Sequence, residues 1–248
     1  MDEKILPQRV NCQCMQVIEA TTQKQQNFMD PTNQPVNLKF THLPKATKET
    51  LDLLAEQNFL NKDWYLAGGT ALTLQFDHRI SVDLDFFTPN TEFDPEFIIT
   101  SLTPLGWITT LREKGTLYGE LKGAKISFIA YPYFTPKKPF IPYKNIQVLD
   151  VSDIAVMKII AISQRGKKRD FFDLYWYVEN KEPLLEVLKR VNSQFPNMAH
   201  NYHHIFKSLT YFDEAEEDPE PQVFFDADWE KIKEYFLKIV PEIANKLL

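Results

Sequence analysis

The sequence predicts an α+β protein, in which a mixed sheet with flanking helices precedes a C-terminal helical domain. Short apolar segments bounded by glycine or proline, typical of strands, occur only before residue 150. From Ser152 onward apolar residues recur at helical spacing, and no segment competes as a strand. We therefore expect a polar, flexible leader over residues 1–40, an α+β domain over 41–149 and a helical domain over 150–248.

The elements of the first part follow from apolar periodicity and from glycine breaks. Leu51, Leu54 and Phe59 lie near helical spacing, and Gly68-Gly69 separates a short apolar strand from a helix. The predicted helices of this part cover 45–59, 70–76 and 95–102. The predicted strands cover 64–67, 82–87, 107–112, 116–121, 125–131 and, after a proline-rich stretch, 146–149. In the second part, helices are predicted over 153–163, 168–179, 183–194 and 228–247.

The composition excludes several classes of protein. The chain is 44% hydrophobic and 25% charged, as in ordinary globular proteins. No apolar run is long enough to span a bilayer, and the first residues lack the apolar stretch of a secretory signal, so we expect a cytoplasmic protein without a membrane partner. Cys12 and Cys14 have no second pair at metal-site spacing, which predicts reduced thiols. A net charge of −6 argues against general affinity for nucleic acids.

Two acids alternate with apolar residues in the second strand. Side chains alternate along a strand, so Asp83 and Asp85 share one face while Leu84 and Phe86 share the other. Two neighbouring carboxylates repel each other unless a cation lies between them, and Mg²⁺ prefers such oxygen ligands. Alone, this pattern is more typical of a solvated edge strand.

The turn before it also has two interpretations. Gly68-Gly69 ends a strand and opens a helix, where backbone N–H groups and the helix N-terminus favour an anion. A tight connection without a ligand would contain the same residues.

Together these segments resemble the signature of the nucleotidyltransferase superfamily. The stretches Gly68-Gly69-Thr70-Ala71-Leu72 and His78-Arg79-Ile80-Ser81-Val82-Asp83-Leu84-Asp85-Phe86-Phe87 resemble the AbiEii toxin family in particular. Met157-Lys158 and the later Arg169-Asp170-Phe171-Phe172-Asp173-Leu174-Tyr175 resemble two further motifs of this family. The resemblance covers about residues 60–180.

The resemblance implies a nucleotidyltransferase fold and transfer of a nucleoside monophosphate from an NTP to an acceptor. It implies that Asp83 and Asp85 bind Mg²⁺ or Mn²⁺, and that Gly68, Gly69 and Thr70 hold phosphate. Lys158 would contact the triphosphate, while Asp170 and Asp173 would orient the nucleotide or Lys158. The family also implies a toxin used in phage defence, an AbiEi-like antitoxin and an RNA acceptor such as a tRNA end.

The residues themselves leave the second motif open. Lys158 lies on an apolar helix face with Ile154 and Ile162, where a lysine needs an acid or a ligand, or must reach out to solvent. Asp170 and Asp173, three residues apart, share a helix face. A purely structural network of ion pairs would show the same pattern.

A basic cluster between these helices contains Arg165, Lys167, Lys168 and Arg169. It predicts a binding surface for a polyanionic acceptor, with a solvated turn as the alternative. The acidic run over 213–220 is expected to be a solvated loop.

One position departs from the family pattern. Many nucleotidyltransferases carry a third carboxylate on a neighbouring strand, where this chain has Ser127, and Glu120 on the preceding strand is an imperfect substitute. Two alternatives to RNA modification therefore remain, a non-catalytic nucleotide-binding relative and a nucleotidyltransferase that acts on a small molecule.

Overall fold

The computed structural model describes residues 37–247, except for the side chains of residues 61 and 62. Most of the predicted leader, including both cysteines, lies outside these residues. Its last residues contact the fold, since Lys39 N–H donates to Leu74 O at 2.6 Å and the Phe40 ring lies 5.3 Å from that of Tyr143.

The strands of the described part form one mixed sheet. They are β1 Tyr65–Ala67, β2 Leu84–Thr88, β3 Ile108–Glu113, β4 Thr116–Leu121, β5 Ala124–Ala130, β6 Ile141–Tyr143 and β7 Ile146–Val148. Their order is β3-β4-β5-β2-β1-β7-β6. The pairs β1–β7 and β2–β5 are parallel, and the other neighbours are antiparallel.

Helices flank the sheet and form most of the second part. The first are α1 Lys45–Leu54, α2 Leu60–Asp63, α3 Gly68–Phe76 and α4 Pro95–Leu102, followed by a 3₁₀ turn at Thr103–Leu105. After the sheet come α5 Val151–Arg165, α6 Lys168–Asn180, α7 Leu184–Gln194, α8 Tyr202–Leu209, α9 Asp213–Glu216 and α10 Trp229–Leu247. Helix α5 packs against α6, α7 and α8.

The predicted elements agree with the structure except at a few short segments. Strand β6 was not predicted because Pro142 interrupts it, and the structure places this strand at the sheet edge, where proline is tolerated. The first helix ends at Leu54 rather than at residue 59, and α2, α8 and α9 were not predicted. The described residues form one compact unit, so the division into domains at residue 150 stays a prediction.

Strand alternation in β2 separates the core from the site. Leu84 and Phe86 are fully buried, and the Phe86 ring stacks 5.4 Å from that of Phe128 on β5. Asp85 therefore points to the opposite face of the sheet, toward α5.

Candidate active site

A cleft of about 700 Å³ lies between the sheet and helix α5. Strands β2, β3, β4 and β5 supply one wall, and α5 with the start of α6 supplies the other. The polar residues that line it are Asp83, Asp85, Thr110, Tyr118, Glu120, Lys125, Ser127, Tyr131, Lys158, Gln164, Arg165 and Arg169. The sequence-predicted carboxylates and Lys158 thus line the same cleft.

Asp85 lies in a row of polar side chains that crosses three strands. It is opposite Ser127 on β5, which in turn is opposite Tyr118 on β4. The Ser127 hydroxyl donates a hydrogen bond to Asp85 Oδ1. Burial raises the pKa of Asp85, and the charge of Asp83 raises it further, against the lowering effects of Ser127, Arg169 and Lys158. The two carboxylates therefore lie in the cleft as a mutually repelling pair.

Gly68 is required beside this pair. Its φ is +71°, which only glycine adopts without strain, and a Cβ there would lie 2.7 Å from Asp85 Oδ2. Gly68 also lines the cleft and is the first residue of α3. The first turn of this helix therefore begins directly beside the Asp85 carboxylate.

Gly69 and Thr70 hold the carboxylate strand in place. A Cβ on Gly69 would lie 2.1 Å from Arg79 Nη2, so only glycine leaves room for that guanidinium group. The buried Thr70 hydroxyl donates its single proton to Asp83 O at 2.5 Å. Ser81 Oγ lies 2.9 Å from the Thr70 oxygen, so in this second hydrogen bond Ser81 is the donor and Thr70 the acceptor. The Thr70 side chain is thus occupied in fixing Asp83. Gly68 lines the cleft but Gly69 and Thr70 do not, so their contact with phosphate stays a prediction.

Lys158 is anchored by the two acids of α6. Its Nζ lies 2.6 Å from Asp170 Oδ1 and 2.6 Å from Asp173 Oδ2, and both carboxylates are fully buried. Burial alone would raise the pKa of each acid. The charges of Lys158 and Arg165 lower the pKa of Asp170 below its usual value, and the charges of Arg79 and Lys158 lower that of Asp173 further. Asp170 and Asp173 therefore orient Lys158 from beneath the cleft.

Two further residues of this network, His78 and Arg79, were assigned no role from the sequence. Arg79 donates through Nε and Nη2 to Asp173 at 2.6 and 2.9 Å, and His78 Nε2 lies 2.7 Å from Asp173 Oδ1. Burial lowers the pKa of His78, so we assign the neutral tautomer that donates from Nε2. Both residues belong to the sequence stretch 78–87 that resembles the family, but only the fold shows that their partner is Asp173, about 95 residues away in sequence.

The structure divides the basic cluster. Arg165 and Arg169 line the cleft, where Arg165 Nε lies 3.0 Å from Asp170 Oδ2 and Arg169 Nη1 lies 3.0 Å from Asp83 Oδ2. Lys167 instead pairs with Asp218 at 3.0 Å. Lys168 is buried, with its Nζ 5.3 Å from the centre of the Trp229 ring.

The acidic run that was expected to be a solvated loop is a partner of these lysines. Asp218 Oδ2 accepts the backbone N–H of Lys168 at 3.0 Å, and Glu216 O accepts Lys168 Nζ at 3.5 Å. The run therefore holds the start of α6, which carries Arg169 and Asp170.

The carboxylate pair fits a hard divalent cation. Within the part of the chain that the structure describes, no group of three or more His, Cys, Asp and Glu side chains is gathered as a metal site. Asp83 and Asp85 nonetheless offer carboxylate oxygens to the cleft, and Mg²⁺ commonly takes one or two carboxylates together with substrate phosphates. A cation held in this way would depend on the nucleotide for its remaining ligands.

The mixed sheet, the glycine turn and the paired aspartates define a nucleotidyltransferase. The model of the family described as nucleotidyl transferase AbiEii toxin, type IV TA system, matches residues 52–109 and 126–246, so this chain belongs to that family. The predicted α+β fold class and the enzyme class are confirmed. A protein of Aquifex aeolicus (strain VF5), itself uncharacterised, is 38% identical over 210 residues, which cover 81% of this chain and 97% of that protein.

Two solved structures are similar over most of the chain. MenT4, a nucleotidyltransferase toxin of Mycobacterium tuberculosis H37Rv, has a TM-score of 0.47 at 14% identity and covers 77% of this chain and 79% of its own. A candidate nucleotidyltransferase of H. pylori has a TM-score of 0.46 at 16% identity, covering 82% of this chain and 97% of its own. Family membership depends on the family model and the Aquifex relative. Among the described residues, no helix is both long and apolar enough to cross a membrane.

Proposed function

We propose that this protein transfers a nucleoside monophosphate from an NTP to an RNA acceptor, such as a tRNA end, with release of pyrophosphate. The observation that carries the proposal is the single cleft lined by Asp83 and Asp85 on the sheet side and by Lys158 on the helix side. In-line displacement at phosphorus needs alignment and charge neutralisation more than covalent chemistry. This cleft offers a carboxylate pair for a cation and a positive group for phosphate oxygens.

Each residue has a part in this proposal. Asp83 and Asp85 would hold Mg²⁺ or Mn²⁺, which when bound supplies charge neutralisation and alignment of the triphosphate. Lys158, fixed by Asp170 and Asp173, would contact triphosphate oxygens through the third N–H of its ammonium group. Gly68, which has no Cβ, lets the start of α3 lie directly beside the Asp85 carboxylate, where the helix N-terminus would attract phosphate.

Charge supports RNA as the acceptor. The chain has a net charge of −6, yet Arg165 and Arg169, both about half exposed, border the cleft. Positive residues at the mouth of an active site on an acidic protein favour a polyanionic acceptor. From the family we further propose a cytoplasmic toxin, paired with an AbiEi-like antitoxin, that serves in phage defence.

The experiment is to incubate the full chain with each α-labelled NTP, Mg²⁺ or Mn²⁺, and total RNA. We expect label in RNA from one preferred NTP, and loss of labelling with EDTA or in the variant that combines Asp83→Asn and Asp85→Asn. Label that appears only in a small-molecule fraction would show that the acceptor is a small molecule and not RNA. Absence of any metal-dependent product with all four NTPs would overturn the proposed reaction.

A further inference from the structure

We propose that Arg169 pairs with Asp83 when no nucleotide is bound and moves to the triphosphate when a divalent cation binds. Metal binding and nucleotide binding would then be coupled through one side chain. This inference rests on the proposed function, because it takes Asp83 and Asp85 as the metal-binding carboxylates.

The pair lies inside the cleft. Arg169 Nη1 is 3.0 Å from Asp83 Oδ2, and both residues line the cleft wall. The charge of Arg169 also acts on Asp85, against the repulsion from Asp83. Arg169 thus relieves the repulsion between the two carboxylates, which is the same electrostatic task that a divalent cation would perform.

The other cations on the helical wall are held differently. Lys158 and Arg165 both pair with Asp170, whose side chain is fully buried beneath the cleft. Arg169 pairs with an acid that is itself a candidate metal ligand. A cation that arrives at Asp83 therefore competes with Arg169 and leaves Lys158 and Arg165 in place.

The pair can break at low cost. The side chains of Arg169 and Asp83 are 47% and 26% exposed, and ion pairs of such exposure are weak. Arg169 is the second residue of α6, so its side chain can turn within the cleft while the helix stays in place. A released guanidinium matches phosphate oxygens, because its planar fork donates two hydrogen bonds to them.

The first test is Mn²⁺ binding to the full chain without nucleotide, followed by electron paramagnetic resonance of the free ion. Arg169→Gln should bind Mn²⁺ about two- to fivefold more tightly than the unchanged protein, since the competing pair is gone. Arg165→Gln removes the same charge from the same cleft and is the matched control, with a smaller change expected. Unchanged or weaker binding in Arg169→Gln, or equal tightening in both variants, would overturn the competition.

The second test uses Mn²⁺-loaded inorganic triphosphate as the probe, because it carries no base. Arg169→Gln should bind this probe about five- to tenfold more weakly, through loss of a charged hydrogen bond. Equal affinity in the two proteins would overturn the movement of Arg169. Asp85→Asn separates this inference from the proposed function: if that variant binds Mn²⁺ as well as the unchanged protein does, the metal site itself is wrong.

Discussion

Asp173 joins the two sequence motifs of the site through a single buried carboxylate. His78 and Arg79, which follow α3, and Lys158 of α5 all reach its two oxygens at 2.6–2.7 Å. A buried carboxylate is stable only when its charge and lone pairs are satisfied in this way. Removal of the acid should therefore cost far more than removal of a surface charge.

We expect Asp173→Asn to lower the free energy of unfolding by about 3–5 kcal/mol at neutral pH, because Arg79 loses its buried carboxylate partner and Lys158 loses one of its two. The pKa of Asp173 is well below 3.8 in the folded chain, so its contribution is fully present above the unfolded value of 3.8 and is lost only as the pH falls through the lower folded pKa. Urea denaturation at pH 7 measures the cost of the substitution. The exposed Asp63→Asn is the control, and a loss in Asp173→Asn no larger than in this control would contradict the ion-pair explanation.

The cleft carboxylates should matter for activity and little for folding. Asp83→Asn or Asp85→Asn should lower nucleotidyl transfer by a factor on the order of 100 or more, since even residues that only orient a metal ligand cost about 10- to 100-fold. The labelling assay measures the rate, and circular dichroism checks the fold. Full activity in both variants would remove the metal site from consideration.

Glu120→Gln is the comparison within the same cleft. Strand pairing puts Ser127 beside Asp85 and puts Glu120 opposite Lys125. We therefore expect most of the activity to remain in this variant, and its loss would make Glu120 the missing third acid.

At the scale of elements, the start of α6 depends on a loop about 50 residues away in sequence. Lys167, which precedes α6, makes no side-chain cap hydrogen bond, and Asp218 instead accepts the N–H of Lys168. Because the next residues of α6 are Arg169 and Asp170, this contact sets the direction from which they approach the cleft and Lys158.

Asp218→Ala should therefore destabilise the protein by about 1 kcal/mol, the usual loss for a helix cap. The melting temperature should fall by about 2–4 °C in a chain of this size. Thermal unfolding followed by circular dichroism measures the change. Glu217→Ala, at the neighbouring exposed position, is the control, and an equal fall in both variants would show that Asp218 does not act as a cap.

At the scale of the whole molecule, the position of each basic residue decides its effect on an acceptor. Arg165→Gln should weaken RNA labelling and make its salt dependence shallower, because Arg165 borders the cleft. Lys167→Gln should leave RNA labelling unchanged, because Lys167 pairs with Asp218 and is not part of the cleft wall. Labelling rates from low to moderate salt measure both, and equal effects would indicate an acceptor surface that extends along the α5–α6 connection.

Local patterns in the sequence were sufficient for most of the fold and for half of the site. The alternation predicted over 82–87 placed Asp83 and Asp85 on the face opposite Leu84 and Phe86, because side-chain direction along a strand is a local property. In the structure β2 begins at Leu84, so Asp83 directly precedes the strand, and both carboxylates still line the cleft. The glycine turn was recognisable for the same reason, since a positive φ at Gly68 requires glycine wherever the strand lies. Strand β6 was missed because proline is excluded from sheet interiors, and only the sheet order shows that this strand is at an edge.

The partners of charged side chains were decided only by the tertiary structure. Lys158 was left between a ligand contact and an ion pair, and the fold supplied Asp170 and Asp173 at 2.6 Å. The four basic residues within 165–169 looked equivalent in sequence, yet two face the cleft and two face the acidic run. Ion pairs form between residues that are distant along the chain, and their formation depends on distances of a few ångströms. Sequence periodicity determines which face of an element a side chain occupies, and the packing of the elements determines what that face meets.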